Sequence, residues 1–255
     1  MAAHLVLALD APLMSFGGDM VDAYGVVRDF PARSMIAGLV ANALGWDRAD
    51  GDAHQALQAR LIMGAARARE GQRIRDFQTA KLEAADQGWT TRGAPEGRAG
   101  GASTYDSPHI RYRDADADAL VVVALRLDPA EQEPTLDQVA QALERPARPL
   151  FLGRKPFLPA GPLLAGRIEA ATVPDALRAA LALVCPQQAA PVRAQWPLGE
   201  GRVAHDRVAE WTDERHWPGG VHAGLRRVVL GRLAPLPAVQ AEAQSKGPDT
   251  GGIGA

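Results

Sequence analysis

Residues 3–9, AHLVLAL, form an unbroken apolar run, and that run predicts a short buried strand. The next segment, 11–33, is polar and glycine-bearing and reads as a loop. Met35, Ile36, Leu39, Val40, Ala43 and Leu44 then recur on one helical face, with Gly45 as the stop, and 53–60 continue helically. The stretch LIMGAARAREGQRIRDFQTAK, 61–81, reads as two strands around a turn at Glu70-Gly71-Gln72. Residues 86–108 are rich in Gly, Ala, Ser and Thr, with Trp89 and Tyr105 as their large anchors, so they predict a long excursion without a core of its own. HIRYR, 109–113, resumes an extended pattern, and ALVVVALRL, 119–127, is the clearest strand. TLDQVAQALE, 135–144, is an amphipathic helix with Leu136, Val139, Ala140 and Leu143 inward. A proline-punctuated stretch at 145–163 leads to a strand at 164–170 and a helix at 174–184. Past Cys185 the pattern weakens until a strand within 224–233, and 238–255 have the composition of a disordered tail.

The order over residues 1–170 is strand, helix, strand pair, strand, helix, strand. That predicts an α+β, ferredoxin-like βαββαβ domain with a long insertion between its central strands. Such a sheet serves many functions, so function must come from sites.

Composition narrows the classes. A chain of 255 residues can bury a sizeable core as one large domain or two small ones. Net charge is −2, so any polyanion site must be a local patch. Positive charge is concentrated in 60–113 and 145–255, while 114–144 is acidic. The single cysteine, Cys185, rules out an internal disulfide or a multi-thiolate zinc site and suits a reducing cytoplasm. The start of the chain lacks a basic n-region and its apolar run is short, so no signal peptide or membrane span is expected. Of the 28 basic residues 25 are arginine, a bias that base composition of the genome would produce and that also suits phosphate contacts.

Three candidate anion sites follow. At the mouth of the first helix, Pro31 fixes an extended approach, Ser34 is placed to cap, and Arg28 and Arg33 add charge to the positive end of the helix dipole. The plainer alternative is a capped core helix with two solvated arginines. In FLGRKP, 151–156, Gly153 permits close approach of a backbone to a ligand beside Arg154 and Lys155, or the segment is a charged surface turn. The excursion and its flanks mix Lys81, Arg92, Arg98, Arg111 and Arg113 with Trp89, Tyr105 and Tyr112, a combination suited to single-stranded nucleic acid or to a solvated loop. Asp114, Asp116 and Asp118 imitate the start of a calcium loop but lack its Gly and Glu, so they read as an acidic strand edge. His216 and His222 with Asp206 match no common metal spacing.

Together, FPARSMIAGLVANALGW followed by DRAD, then RDFQT, YRDADADALVVVAL and PLFLGRKPFLPAGPL resemble the fifth core Cas protein family, CasD, of type I-E CRISPR systems. The resemblance runs through about residues 4–170, with APLMSFG, 11–17, matching after the first strand. It implies an RNA-recognition-type (RRM-type) ferredoxin-like domain over 1–170, a β-hairpin thumb at about 79–112, and a smaller, β-rich C-terminal part over 171–237. It implies a non-catalytic subunit, free of cofactors and metal, that holds the 5′ handle of the crRNA at one end of Cascade in the cytoplasm. Its neighbours would be the Cas7-type backbone subunit and the Cas8-type large subunit, with target DNA met only through the complex. Carried over residue by residue, the handle site draws on Ser15, Phe16, Gly17, Arg28, Arg33, Ser34, Lys81, Arg92, Arg111, Arg113, Gly153, Arg154 and Lys155. The alternative is metal-independent endoribonuclease processing of repeat RNA, for which Tyr105, Lys81 and His109 supply the residue types.

Overall fold

The computed structural model describes residues 1–18, 22–80, 88–89, 95–96, 109–202 and 205–236. Lys81, Arg92, Arg98, Tyr105 and the tail at 238–255 lie outside the described residues, as does most of the expected thumb.

The first apolar run becomes strand β1 (Ala2–Met14), followed by the two-residue β2 (Tyr24–Gly25). Helix α1 (Arg33–Ala43) is followed by a separate helix, α2 (Gly51–Arg60). Strands β3 (Leu61–Arg69) and β4 (Gln72–Ala80) come next, then the short β5 (Gly88–Trp89) and β6 (Pro95–Glu96). The segments HIRYR and ALVVVALRL belong to one 19-residue strand, β7 (His109–Leu127). Helix α3 (Leu136–Glu144), strand β8 (Leu164–Ala170) and helix α4 (Val173–Val184) follow. The last part holds β9 (Val192–Pro197), β10 (Arg207–Trp211), the small hairpin β11 (Arg215–His216) and β12 (Val221–His222), and β13 (Arg226–Leu233).

Among the described residues the main sheet runs β10-β13-β9-β3-β7-β1-β8, with β2 and β4 also on β7. Within it, β8-β1-β7-β3 pair antiparallel throughout. The C-terminal strands extend this same sheet, because β9 pairs with β3 at Ala65 and Ala66. Both faces are covered. Leu5, Leu7 and Leu9 pack with Ile36, Val40 and Leu143 from α1 and α3, while Val6, Val122 and Ala124 pack with Leu177 and Leu181 from α4. Burial on both sides explains why β1 reads as a continuous apolar run rather than an alternation.

Two expectations are corrected. Glu70-Gly71 is not a hairpin turn: β3 and β4 run on in line, pairing in succession with β7 (Arg69 opposite Leu120, Gln72 opposite Ala117). The cause is a kink in which Gly71 has φ +67° and Asp118 has φ +52°. A Cβ on Gly71 would lie 2.4 Å from the Ala117 carbonyl oxygen, so only glycine fits. Beyond the kink, β4 and the first half of β7 pair as a ribbon, Gln72–Ala80 against His109–Ala117, with β2 also on β7 at Tyr112 and Arg113. The acidic strand edge is also corrected, because β7 is internal to the sheet and Asp114 and Asp116 are buried. Asp116 bridges Arg67 and Arg73 at 3.0 Å each, and Asp114 takes two bonds from Arg75 at 2.7 and 3.1 Å. No helix among the described residues is long and apolar enough to cross a membrane.

Candidate nucleic-acid interface

The mouth of α1 is closed by the protein itself. Ala32 is the N-cap residue and no side chain caps from there; Ser34 is buried in the helix and does not cap, contrary to expectation. The Asp213 carboxylate accepts from the Arg33 N–H at 3.2 Å, and its carbonyl accepts from the Ser34 N–H at 3.0 Å. Arg33 donates to the carbonyls of Leu61 and Ala59, 2.8 Å each, and to Glu214. Arg28 donates to the Thr212 carbonyl and lies over the Trp211 ring. Both arginines thus clasp the 211–214 segment, and the exposed helix-dipole site expected there is filled by an internal carboxylate.

Phe16 is 1% exposed and belongs to the core, so its side chain cannot serve as an RNA contact. Gly153 has φ +98°. Its close approach is to Ser15, not to a ligand: a Cβ there would fall 1.9 Å from the Ser15 carbonyl oxygen. The Ser15 N–H donates to Leu152 at 3.0 Å and completes the contact. This packing seats the Gly-Arg-Lys turn on the end of β1.

The seating creates a cup of about 400 Å³. Ser15, Gly17, Ser34, Gly153, Arg113 and Arg154 line it, so the loop after β1, the start of α1, the turn and the middle of the ribbon do converge. Arg154 donates to the Asp114 carbonyl at 3.0 Å and lies over the Phe157 ring. Burial lowers the Arg154 pKa, and the neighbouring Arg113 charge lowers it further, against partial opposition from Asp76 and Asp114. Two guanidinium groups that repel across a concave surface gain when an anion enters between them. Arg111 and Lys155 are exposed nearby in the chain, while His109 lies at the far end of the β4/β7 pairing, opposite Ala80.

The sequence did not single out Arg215 or Trp217 for this wall, and His222 only as a doubtful metal ligand, yet all three line the cup. They arrive on the β11–β12 hairpin, which Gln58 of α2 holds by accepting from the Arg215 N–H at 3.1 Å and donating to its carbonyl at 3.0 Å. Arg215 lies over the Trp217 ring, and its Nε is buried without a partner. The local mixture Arg215-His216-Trp217 was the only sequence signal, and spacing alone could not place it beside Arg154. Asp206 lines a different groove, away from His222, and no group of three metal-ligating side chains occurs among the described residues.

Among the described residues the cup's lining carries cations, hydroxyls and backbone but no carboxylate, which fits a phosphodiester chain. A search of curated proteins finds no match. A solved structure described as a CRISPR RNA-guided surveillance complex aligns with TM-score 0.64 and 19% identity, over 91% of this chain and 90% of that one. A second, described as a crystal structure of a Cas protein, aligns with TM-score 0.55 and 22% identity, over 96% and 99%. At those identities the likeness is one of fold. The family model for CRISPR-associated protein (Cas_Cas5) matches residues 4–229, and the chain therefore belongs to the Cas5 family of CRISPR-associated proteins.

Proposed function

We propose that this chain is the non-catalytic subunit of a type I-E Cascade that holds the 5′ handle of the crRNA in the cup between Arg113, Arg154 and Arg215. The carrying observation is that three separate chain regions bring arginines to one concavity whose lining, among the described residues, has no carboxylate. Family membership and the surveillance-complex neighbour support assembly into such a complex. The β8-β1-β7-β3 order with its two helical crossovers supports a ferredoxin-like domain, and the β4/β7 ribbon supports a thumb rooted at Gln72 rather than at 79. In this reading the Cas7-type and Cas8-type subunits are its neighbours, in the cytoplasm.

The test is binding of labelled handle RNA to the purified chain over a salt series. Arg113→Glu with Arg154→Glu should weaken binding by about 100-fold or more and flatten the salt dependence by about 1.4 in slope, as two lost phosphate contacts require. An unchanged affinity and slope would overturn the assignment of the cup.

A further inference from the structure

The β4/β7 ribbon has two faces with different chemistry. Arg113, together with its β4 partner Asp76, lies on the face toward the cup. Alternation puts Arg73, Arg75 and Phe77 of β4 on the other face, opposite Asp116, Asp114 and Tyr112. There Tyr24 and Tyr112 stack with ring centroids 5.0 Å apart and planes 13° apart, and Phe77 leans on Tyr112 at 5.5 Å. The Arg75 guanidinium lies over Tyr24, 5.5 Å from its centroid. Phe77 is 56% exposed and Tyr24 46%, unusual for rings that already hold each other in place.

Down the same face, Arg73 enters the wall of a groove of about 880 Å³ between residues 27–30 and the antiparallel pair β10 and β13. Its apolar floor includes Phe30, Trp211 and Leu230. Arg28, Arg193, Arg207 and Arg232 join Arg73 in the lining, against Asp29 and Asp206. Asp29 bridges Arg73 and Arg193, whereas Arg232 donates to a neutral partner, the Pro191 carbonyl, and Arg207 is exposed. The groove therefore keeps a positive rim over an aromatic and aliphatic floor.

We propose that this surface, from the Tyr24–Tyr112–Phe77 platform to the Arg207/Arg232 rim, binds a second single strand of nucleic acid, separate from the strand in the cup. Arg73, Arg75 and Phe77 follow one another at about 6.8 Å along β4, two strand residues apart. Asp116, Asp29 and Asp114 meet the charges of Arg73 and Arg75, so on this stretch the exposed rings do the matching, to a linear chain that bears flat apolar groups, and the phosphates fall to the rim. Bases stack on exposed rings without sequence preference, while arginines at the rim take the phosphates. An acidic peptide would satisfy the rim but leave the stacked rings unused. The inference needs only the ribbon's two-faced geometry and stands whether or not the cup holds the handle.

The test uses the full-length chain with labelled oligouridine and oligothymidine 15-mers, and a polyglutamate 15-mer as the rival ligand. It is run in the Arg113→Glu, Arg154→Glu background, so that the cup cannot contribute. Adding Arg207→Glu with Arg232→Glu, or Tyr24→Ala with Phe77→Ala, should each weaken oligonucleotide binding roughly tenfold or more. Arg207→Gln with Arg232→Gln should give a smaller loss of the same kind, and circular dichroism should be unchanged because all four side chains are at the surface. In an otherwise native chain, the rim and platform changes should leave handle binding within about twofold. Oligonucleotide binding that ignores both pairs of substitutions would overturn the proposal, and so would binding of polyglutamate in place of the oligonucleotides.

Discussion

Asp213 shows how much can hang on one side chain. It is 1% exposed, receives three bonds from Arg226 at 2.6–3.0 Å, and accepts the Arg33 N–H at the head of α1. Its removal would strand the Arg226 guanidinium, itself nearly buried, and uncap a helix that has no other side-chain cap. Asp213→Ala is therefore expected to cost about 3–5 kcal/mol, the range for breaking one partner of a buried pair, rather than the ~1 kcal/mol of an exposed cap. Urea unfolding followed by circular dichroism measures it, and a loss below about 1 kcal/mol would contradict the role. No sequence reading could have found this cap, because the capped residue and the capping residue are 180 positions apart. Ser34 offered the local solution, and a distant carboxylate displaced it. Gly153 was legible as a position of close approach, but the partner was hidden for the same reason: a sequence shows that a backbone must come near something, not that the something is Ser15.

At the scale of elements, charge does the work that an alternating pattern conceals. In the sequence the acidic stretch reads as a strand edge and the basic ones as local patches, yet folded they form a chain of ion pairs, Arg67-Asp116-Arg73-Asp29-Arg193-Glu70. The chain ties β3, β4, β7, β9 and residues 27–30 together. Three of its neighbouring carboxyls titrate low. The Arg193 bonds hold Glu70 below its ordinary value, Arg75 does the same for Asp114, and for Asp29 the Arg193 bond and nearby arginine charges outweigh burial, which pushes upward. A carboxyl with a depressed folded pKa contributes stability above its unfolded pKa and loses it as pH falls through the folded value. Burial likewise lowers the pKa of His4, so the unfolded state takes up a proton there first; the melting temperature should therefore decline gently below about pH 6.5 and fall more steeply below about pH 4. Arg193→Ala should lower the plateau by about 1 kcal/mol or less, since its partners are part-solvated, and should soften the acid limb. A melting temperature that rose on acidification would contradict the linkage. The pairing also explains which elements were legible. Strands β1 and β8 and helices α3 and α4 follow apolar periods that tertiary contacts reinforce. The turn at Gly71 was misjudged because glycine marks a positive φ equally well in a hairpin and in a kink between two strands that continue in line.

For the whole molecule the question is whether a cup that suits a phosphodiester could also cut one. Metal-independent cleavage of RNA needs a base for the 2′-hydroxyl and an acid for the leaving oxygen, both within hydrogen-bond reach. The cup's other cations are arginines, which stay protonated at any working pH. His222 is the one imidazole among its described lining residues, whereas cleavage calls for two groups, a base and an acid. His109, the histidine of the alternative set, pairs with Ala80 at the far end of the described ribbon, whereas Arg113, midway along it, reaches the cup. Lys81 and Tyr105, which complete that set, lie outside the described residues. The proposed role as a holder of RNA therefore carries the expectation that a bound strand stays intact. Repeat RNA incubated with the purified chain in EDTA should remain full-length over hours on a denaturing gel, and His222→Ala or His109→Ala should change nothing in that readout. A discrete product that disappears in either histidine variant would reverse the conclusion and make the cup, or the ribbon beyond it, a processing site rather than a holder.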